Sequence, residues 1–248
     1  MSDLSGRTTI VVGASRGLGR GIATAFAEAG APVVAVSRTA APFDEPANGA
    51  GTIESEVVDA GDATVPASLI DRYEPQNIIV VAGATPHMRR LQEQTWETFS
   101  VNWETDVRIT FQWLREALLK PLRPGSRVVV ISSGAALGGS PLSGGYAGAK
   151  ATQRFITGYA QDEANQAGLG ITFTTVLPRF APLTGVGRPA VRAYAERAGM
   201  SVEDFLAKAG PLLTPEIAGA TLVDLVREDA AKVVPAYVMN GAGLQKLP

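Results

Sequence analysis

The amino-acid sequence predicts an α/β fold, with a doubly wound parallel sheet of about seven strands and helices on both faces. Short β-branched runs alternate with longer helical stretches over the whole chain, and most of these runs are almost entirely apolar. Nearly continuous apolar strands are typical of sheets that helices cover on both faces. A glycine-rich turn also joins the first run to the first helical stretch, as in nucleotide-binding folds of this class.

The strands follow from the β-branched runs, which lie at 8–13, 32–37, 52–58, 77–83, 127–132, 171–177 and 232–238. The stretches between them predict helices at 17–29, 64–73, 95–120, 146–167 and 215–228. The last helix has a clear start, because Thr214 can cap it and Pro215 fits its first turn. No linker, repeat or low-complexity segment interrupts the alternation, so we expect a single domain over residues 1–248.

The stretch 179–213 breaks this alternation. It contains about two helical segments, AVRAYAERAGM and SVEDFLAKAG, where one short connection is usual. Long loops that carry function cluster at the carboxyl edge of such sheets. We therefore expect a substrate-covering lid at about 179–213.

Composition argues against several classes of function. The net charge of −2 does not favour a nucleic-acid partner. The chain has no cysteine and His87 is its single histidine, so we expect neither thiol catalysis nor a metal site. No apolar run is long enough to span a bilayer, and the first residues lack a signal-peptide pattern. We expect a cytoplasmic protein with no membrane partner.

The turn GASRGLG, from Gly13 to Gly19, indicates a site for the pyrophosphate of a dinucleotide. Glycine lets the backbone approach a ligand where a Cβ atom would collide with it. The helix that follows directs its free N–H groups and its positive end at the same place. Many strand–helix turns use glycine for steric reasons alone, so the position after the first strand is what favours binding. The cofactor residues expected from this turn are Gly13, Ser15, Arg16, Gly17, Leu18 and Gly19.

The end of the second strand bears on which cofactor is bound. Folds that take NAD usually place an acid there, which binds the ribose 2′-hydroxyl. This chain has Ser37 and Arg38 instead, and Arg16 lies in the nearby glycine turn. Two guanidinium groups suit a 2′-phosphate, so the sequence favours NADP(H), with NAD(H) as the second choice. The alternative for both arginines is an exposed place on a loop without a ligand.

The segment GGYAGAK, residues 144–150, places Tyr146 and Lys150 one helical turn apart on the same face. Such a pair alone is also consistent with a solvated surface. Reduction of a carbonyl group by hydride needs a proton donor at the developing alkoxide. A nearby ammonium group stabilises a phenolate, so Lys150 is suited to help Tyr146 act as that donor.

Taken together, these motifs resemble those of the short-chain dehydrogenase/reductase family, in its compact single-domain members, over essentially the whole chain. The spacing of Gly13, Gly17 and Gly19 is similar to the family's glycine turn. Ser133, in the segment ISSG, precedes Tyr146 by the family's usual gap. The resemblance implies a Rossmann-type fold, an oxidoreductase activity and a catalytic tetrad of Asn102, Ser133, Tyr146 and Lys150.

The resemblance also implies a role for each member of the tetrad. Ser133 would hydrogen-bond the substrate oxygen, and Tyr146 would donate the proton. Lys150 would reach the ribose of the nicotinamide, and Asn102 would hold a water that links Lys150 to solvent. Further cofactor contacts are implied for residues that match family positions after later strands: Asp59, Ala60, Ala82, Gly83 and Pro178.

The chain departs from the family's pattern outside the tetrad. Val12 stands where the family has Thr, and Val80 and Val81 stand where it has two Asn. Exchanging polar groups on both sides of a buried contact for apolar groups can be nearly neutral. Arg179 follows Pro178 where the family usually has Gly, which bears on the contacts to the nicotinamide carboxamide.

The leading interpretation is an NADP(H)-dependent carbonyl reductase or alcohol dehydrogenase, which transfers a hydride between the nicotinamide and a small carbonyl or alcohol substrate. One alternative is an epimerase or dehydratase that uses the same Tyr–Lys pair. Another is a non-catalytic NADP(H)-sensing or scaffold protein on the same fold. The family also implies a homodimer or homotetramer, formed through the helices that contain Asn102 and Tyr146. The tryptophans Trp96, Trp103 and Trp113 are expected to serve packing or this interface.

Two kinds of substrate fit the expected pocket walls. An apolar carbonyl compound fits the apolar wall residues Ala135, Ala136, Leu137, Phe180 and Leu183. An acid fits the cations Arg179, Arg188 and Arg192.

Overall fold

A mostly parallel sheet organises the residues that the computed structural model describes, which are 4–44, 46, 51–182 and 184–247. The strands are β1 (Thr9–Val12), β2 (Pro32–Ser37), β3 (Thr52–Val57), β4 (Asn77–Val80), β5 (Arg127–Ile131), β6 (Thr172–Pro178), β7 (Ala236–Asn240) and β8 (Gly243–Lys246). Within the described residues the sheet has 8 strands in the order β3-β2-β1-β4-β5-β6-β7-β8. Neighbouring strands from β3 to β7 are parallel, and β8 is antiparallel to β7. The predicted doubly wound α/β fold is therefore confirmed.

Helices connect the strands and cover both faces of the sheet. They are α1 (Gly17–Glu28), α2 (Val65–Tyr73), α3 (Trp96–Asn102), α4 (Arg108–Leu119), α5 (Ala135–Gly138), α6 (Tyr146–Gln166), α7 (Gly187–Arg197), α8 (Val202–Lys208) and α9 (Pro215–Arg227). As predicted, Thr214 caps α9, because its side chain accepts a hydrogen bond from the N–H of Ile217. None of the helices that the described residues form is long and apolar enough to cross a membrane.

Two apolar clusters form the core, one on each face of the sheet. Helices α1 and α9 pack on one face, where Phe26 and Leu222 meet Val11 of β1. Helices α2, α4 and α6 pack on the other face, where Trp113 lies in the same cluster as Ile10. Successive side chains of a strand point to opposite faces, so β1 supplies both clusters. This two-sided burial explains why the central strands read as continuous apolar runs.

The structure differs from the prediction at a few elements. The predicted helix 95–120 is two α-helices, because the π-helical turn Trp103–Val107 separates α3 from α4. The predicted strand 232–238 starts later, at Ala236, since Ala230–Lys232 form a 3₁₀ turn that the side chain of Asp229 caps. The short elements β8 and α5 were not predicted.

The edge strand β3 carries two acids that neighbouring side chains bind. The hydroxyl of Tyr73 donates to carboxylate oxygens of Glu54 and Glu56, each at 2.6 Å. Arg72 also forms an ion pair with Glu56 at 2.6 Å. The edge is thus polar and held by the end of α2.

We expect the change Trp113→Ala to lower the free energy of unfolding by about 3–5 kcal/mol. The ring is 0% exposed, and its indole N–H donates to the carbonyl of Ala60 at 3.3 Å. Denaturant unfolding measures this loss. Trp96→Ala is the matched control, since Trp96 is 72% exposed and its loss should cost no more than about 0.5 kcal/mol. Similar losses for the two variants would contradict the assignment of Trp113 to the core.

Candidate active site

A cavity of 760 Å³ opens at the carboxyl ends of β1 to β6. The turn after β1, the end of β2 and the segments that follow β3, β4 and β5 all contribute to its wall. The wall includes every residue that the sequence predicts for the cofactor, together with Ser133: Gly13, Ser15, Arg16, Gly17, Leu18, Gly19, Ser37, Arg38, Asp59, Ala60, Ala82, Gly83, Tyr146, Lys150 and Pro178. Asn102 lies outside this wall, and the role of each residue stays a prediction.

The glycine turn brings the backbone of β1 against the segment after β4. Gly13 has φ of +95°, and a Cβ atom on it would stand 2.6 Å from the backbone nitrogen of Ala82. A Cβ atom on Gly19 would stand 2.1 Å from the carbonyl oxygen of Gly13. Both positions therefore exclude any larger residue. Helix α1 starts at Gly17 without a side-chain cap from Arg16, so its first N–H groups face the cavity without a side-chain partner there.

Two cations of the cavity wall are Arg16, in the turn after β1, and Arg38, directly after β2. Arg16 and Arg38 are exposed, and neither forms an ion pair with another part of the described chain. The guanidinium carbon of Arg16 lies 3.8 Å from where a Cβ atom on Gly185 would stand. The hydroxyl of Ser37 donates to the carbonyl of Thr39 at 2.7 Å. The guanidinium groups of Arg16 and Arg38 are therefore suited to bind an anion.

Helix α6 and strand β5 position the predicted catalytic side chains. Tyr146 is the first residue of α6, and the ammonium of Lys150 lies 5.6 Å from the centre of its ring. The hydroxyl of Ser132 donates to the Lys150 carbonyl at 2.7 Å, which fastens α6 to the end of β5. The hydroxyl oxygen of Ser133 accepts from the N–H of Ala135 at 3.2 Å, so its own proton is free to donate into the cavity.

Sequence reasoning missed a carboxylate at the centre of this site. Asp106 is 0% exposed, and its Oδ2 lies 3.0 Å from Nζ of Lys150. Its Oδ1 accepts a hydrogen bond from Nδ2 of Asn102 at 3.2 Å, so Asp106 contacts both Asn102 and Lys150. The predicted water at Asn102 stays a prediction. Asp106 follows Asn102 by one helical turn, and that spacing was the signal available in the sequence.

The charge of Lys150 depends on its surroundings. Burial lowers the pKa of this ammonium, but the carboxylate of Asp106 and the nearby Tyr146 raise it, and the pKa of Lys150 lies above its ordinary value. Lys150 is 5% exposed, so water does little to screen this interaction. The site therefore contains a protonated lysine beside the candidate proton donor.

The segment 179–213 covers one side of the cavity. Its side chains in the wall include Arg179, Phe180, Tyr194, Phe205 and Lys208. The rings of Phe180 and Phe205 meet edge to face at 5.5 Å. The hydroxyl of Tyr194 lies 2.7 Å from that of Ser140 and accepts from the N–H of Leu142 at 3.2 Å. These contacts fasten α7 to the loop that precedes α6.

The pocket-wall predictions are met in part. Ala135, Phe180 and Arg179 lie in the cavity wall, whereas Ala136 and Leu137 do not. Arg188 and Arg192 border a separate hollow of 280 Å³. Leu183 lies outside the described residues.

A family model described as short chain dehydrogenase matches residues 7–193. The chain belongs to the short chain dehydrogenase family. The predicted family is thus confirmed. A structure of a short-chain type dehydrogenase/reductase from Mycobacterium ulcerans shares the fold, with a TM-score of 0.78 and 22% identity over 98% of this chain and 94% of that one.

Two short chain dehydrogenases with reductase names are similar to part of the chain. L-xylulose reductase of Homo sapiens is 35% identical over 109 residues, which cover 44% of this chain and 45% of the reductase. D-erythrulose reductase of Gallus gallus is 32% identical over 136 residues, which cover 52% of this chain and 55% of the reductase. The chain thus spans about half the length of the reductases that it matches.

We expect the change Tyr194→Phe to loosen α7, because it removes the hydroxyl that contacts Ser140 and Leu142. A hydrogen bond contributes about 1 kcal/mol, so the amide hydrogens of α7 should exchange roughly 5-fold faster. Hydrogen exchange followed by mass spectrometry measures this. Tyr159→Phe, at a side chain on α6 that is 62% exposed, is the control. Unchanged exchange in α7 would show that Tyr194 does not hold the segment.

Proposed function

We propose that this short chain dehydrogenase is an NADPH-dependent carbonyl reductase, which interconverts a small carbonyl compound and its alcohol. The observation that carries the proposal is that the glycine turn, Tyr146, Ser133 and Lys150 all line the same cavity. A turn of this kind suits a dinucleotide pyrophosphate, and a tyrosine beside a protonated lysine suits proton transfer to an alkoxide.

The residues present fit a phosphorylated dinucleotide. The N-terminus of α1 has no side-chain cap and opens on the cavity, so its N–H groups can bind the pyrophosphate. Arg16 and Arg38 would bind a 2′-phosphate, and Lys150 would hold a ribose hydroxyl. The reduced nicotinamide supplies the hydride when it is bound.

Side chains of the cavity wall would transfer the proton to the substrate oxygen. The hydroxyl of Ser133 donates to the carbonyl oxygen of the substrate and polarises it. Tyr146 then gives its proton to that oxygen as the alkoxide develops. The ammonium of Lys150 stabilises the phenolate that remains. In the opposite direction the phenolate of Tyr146 takes the proton of the alcohol.

The substrate end of the cavity combines apolar side chains with cations. Ala135, Phe180 and Phe205 supply apolar surface, and Arg179 and Lys208 are exposed cations of the same wall. Neither cation forms an ion pair within the described part of the chain. Such a set accepts an apolar carbonyl compound that carries one anionic group.

We also infer that copies of the chain associate as a homodimer or homotetramer through α4 and α6. Phe111 and Leu119 on α4 are 54% and 59% exposed, and Phe155 and Tyr159 on α6 are 59% and 62% exposed. The two helices pack side by side. Large apolar groups that are exposed together on neighbouring helices are typical of subunit interfaces.

Tyr146→Phe should lower kcat by roughly 100-fold or more, because it removes the proton donor. The affinity for NADPH should change little, since the ring remains in place. Loss of the NADPH absorbance with a panel of ketones, with and without a carboxylate, measures kcat, and fluorescence titration measures binding. Tyr73→Phe, at a tyrosine that contacts the edge strand β3 outside the cavity, is the control for loss of a hydroxyl. A Tyr146→Phe enzyme with most of its activity would refute the assignment of the acid.

Cofactor preference is the second test. A hydrogen bond from a charged group to phosphate contributes about 1.5–3 kcal/mol, which predicts a roughly 10- to 100-fold preference for NADPH over NADH. The double change Ser37→Asp and Arg38→Leu removes a cation and adds an acid that repels the 2′-phosphate. The ratio of kcat/KM for the two cofactors should therefore move toward NADH.

The control for charge is Arg123→Leu, since Arg123 is an exposed arginine outside the cavity wall that pairs with Glu74. This control should leave the cofactor ratio unchanged. A wild-type enzyme that prefers NADH, or a double variant with the wild-type ratio, would show that Arg38 does not bind the phosphate.

A further inference from the structure

The buried carboxylate of Asp106 lies on the π-helical turn Trp103–Val107, between α3 and α4. Its side chain is 1% exposed and that of Lys150 is 6% exposed, with 3.0 Å between the charged atoms. Burial of one such charge without the other would be costly, because neither group could then be solvated. Loss of either residue would therefore leave the other as a buried charge without a partner.

Several parts of the chain fix the position of this carboxylate. Its Oδ1 accepts from the N–H of Ala84 at 2.8 Å and from Asn102 at 3.2 Å. The backbone carbonyl of Asp106 accepts from the side chain of Gln153 on α6 at 3.2 Å. A Cβ atom on Gly83 would stand 2.7 Å from Oδ2, so the glycine at this position leaves room for the carboxylate.

Asp106 is the acid that faces Lys150. The titratable groups that act on the lysine are Asp106 and Tyr146. Strand β5 offers the carbonyl of Ile131 at 3.5 Å, and the wall segment 81–84 after β4 has no ionisable side chain. The remaining charged residues of the cavity wall are all exposed to solvent: Arg16, Arg38, Asp59, Arg179 and Lys208.

We propose that Asp106 is a positioning residue for the reaction, whose buried carboxylate keeps Lys150 protonated and orients its ammonium group. The ammonium group lies 3.0 Å from Oδ2 of Asp106 and donates to the Ile131 carbonyl at 3.5 Å. With three N–H bonds, it retains a donor for the ribose of the cofactor. Asn102 acts on Lys150 through this carboxylate. The catalytic consequence rests on the proposed function, whereas the protonation of Lys150 does not.

The first test measures the protonation of Lys150 without any substrate. In protein labelled with ¹³C at lysine Cε, each lysine gives a resonance that titrates with pH, and Lys150→Met identifies the one from Lys150. In the wild type the pKa of Lys150 should lie above the ordinary value of a lysine, because the carboxylate of Asp106 stabilises its charge. In Asp106→Asn it should titrate at lower pH than in the wild type, because the carboxylate no longer opposes the effect of burial on its pKa.

The matched control for this test is Glu104→Gln, which removes an exposed acid from the same turn and should leave the Lys150 titration unchanged. A Lys150 resonance that titrates in Asp106→Asn as it does in the wild type would overturn the proposal.

The second test is the pH dependence of kcat for carbonyl reduction. In Asp106→Asn the alkaline loss of kcat should begin at lower pH than in the wild type, because the lysine loses its proton earlier. A merely structural role would lower kcat by the same factor at every pH, and that result would overturn the proposal. A wild type without reductase activity but with the expected Lys150 titration would refute the proposed function and leave the charge assignment intact.

A third measurement applies if Asp106→Asn folds but is too unstable for the titration and the kinetics. Thermal unfolding of Lys150→Met, Asp106→Asn and the double variant then forms a cycle. The double variant should melt above either single variant, because it leaves no buried charge without a partner. A double variant that melts below both singles would show that the two residues do not act as a pair, and would overturn the proposal.

Discussion

The reversal of strand order between β1 and β4 is the constraint on which the site depends. The chain leaves these neighbouring strands toward opposite sides of the sheet, so their turns diverge and leave a crevice at the carboxyl edge. The backbone N–H groups of Val81 and Ala82 both donate to the carbonyl of Val12, at 2.9 and 2.8 Å. These bonds join the two strands where the family has polar side chains, so the apolar residues at 12, 80 and 81 do not loosen the crevice.

The buried ion pair of Lys150 and Asp106 lies along that crevice. Lys150 stands on the first turns of a helix of 21 residues, and Asp106 stands on a helical turn that packs against it. Since both come from regular elements, their side chains are held more firmly than loop residues would be. The hydroxyl of Ser132 ties the same helix to the end of β5. Both charged groups thus stand on helical elements that pack against each other, and α6 is fastened to the sheet.

Much of the fold could be predicted from the sequence because each central strand is buried on both faces and is therefore apolar throughout. The missed elements lack such a signal. Strand β8 is the short segment GLQK, which is partly exposed and neither apolar nor alternating. The π-helical turn depends on contacts with α6, such as the bond from Gln153 to the Asp106 carbonyl, and no local period encodes those contacts.

The same reasoning applies to the site. Glycine spacing and the Tyr146–Lys150 pair are local patterns, and the structure brings both to one cavity. The spacing of Asp106 from Asn102 indicates only that the two lie on one helical face. The contacts of Asp106 with Ala84 and Lys150 join distant parts of the chain, so no local pattern could reveal its ion pair. The contact between Tyr194 and Ser140 is hidden from the sequence for the same reason.

The two edges of the sheet also bear on whether copies of the protein aggregate at high concentration. An edge strand leaves backbone groups without partners, and an apolar one invites another chain to extend the sheet, which leads to aggregation. At one edge β3 carries Glu54 and Glu56, which Tyr73 and Arg72 hold in place. At the other, β8 is 4 residues long and contains Gln245 and Lys246. Neither edge of the sheet, as far as the structure describes it, is an apolar strand, so extension of the sheet from one copy to the next is disfavoured.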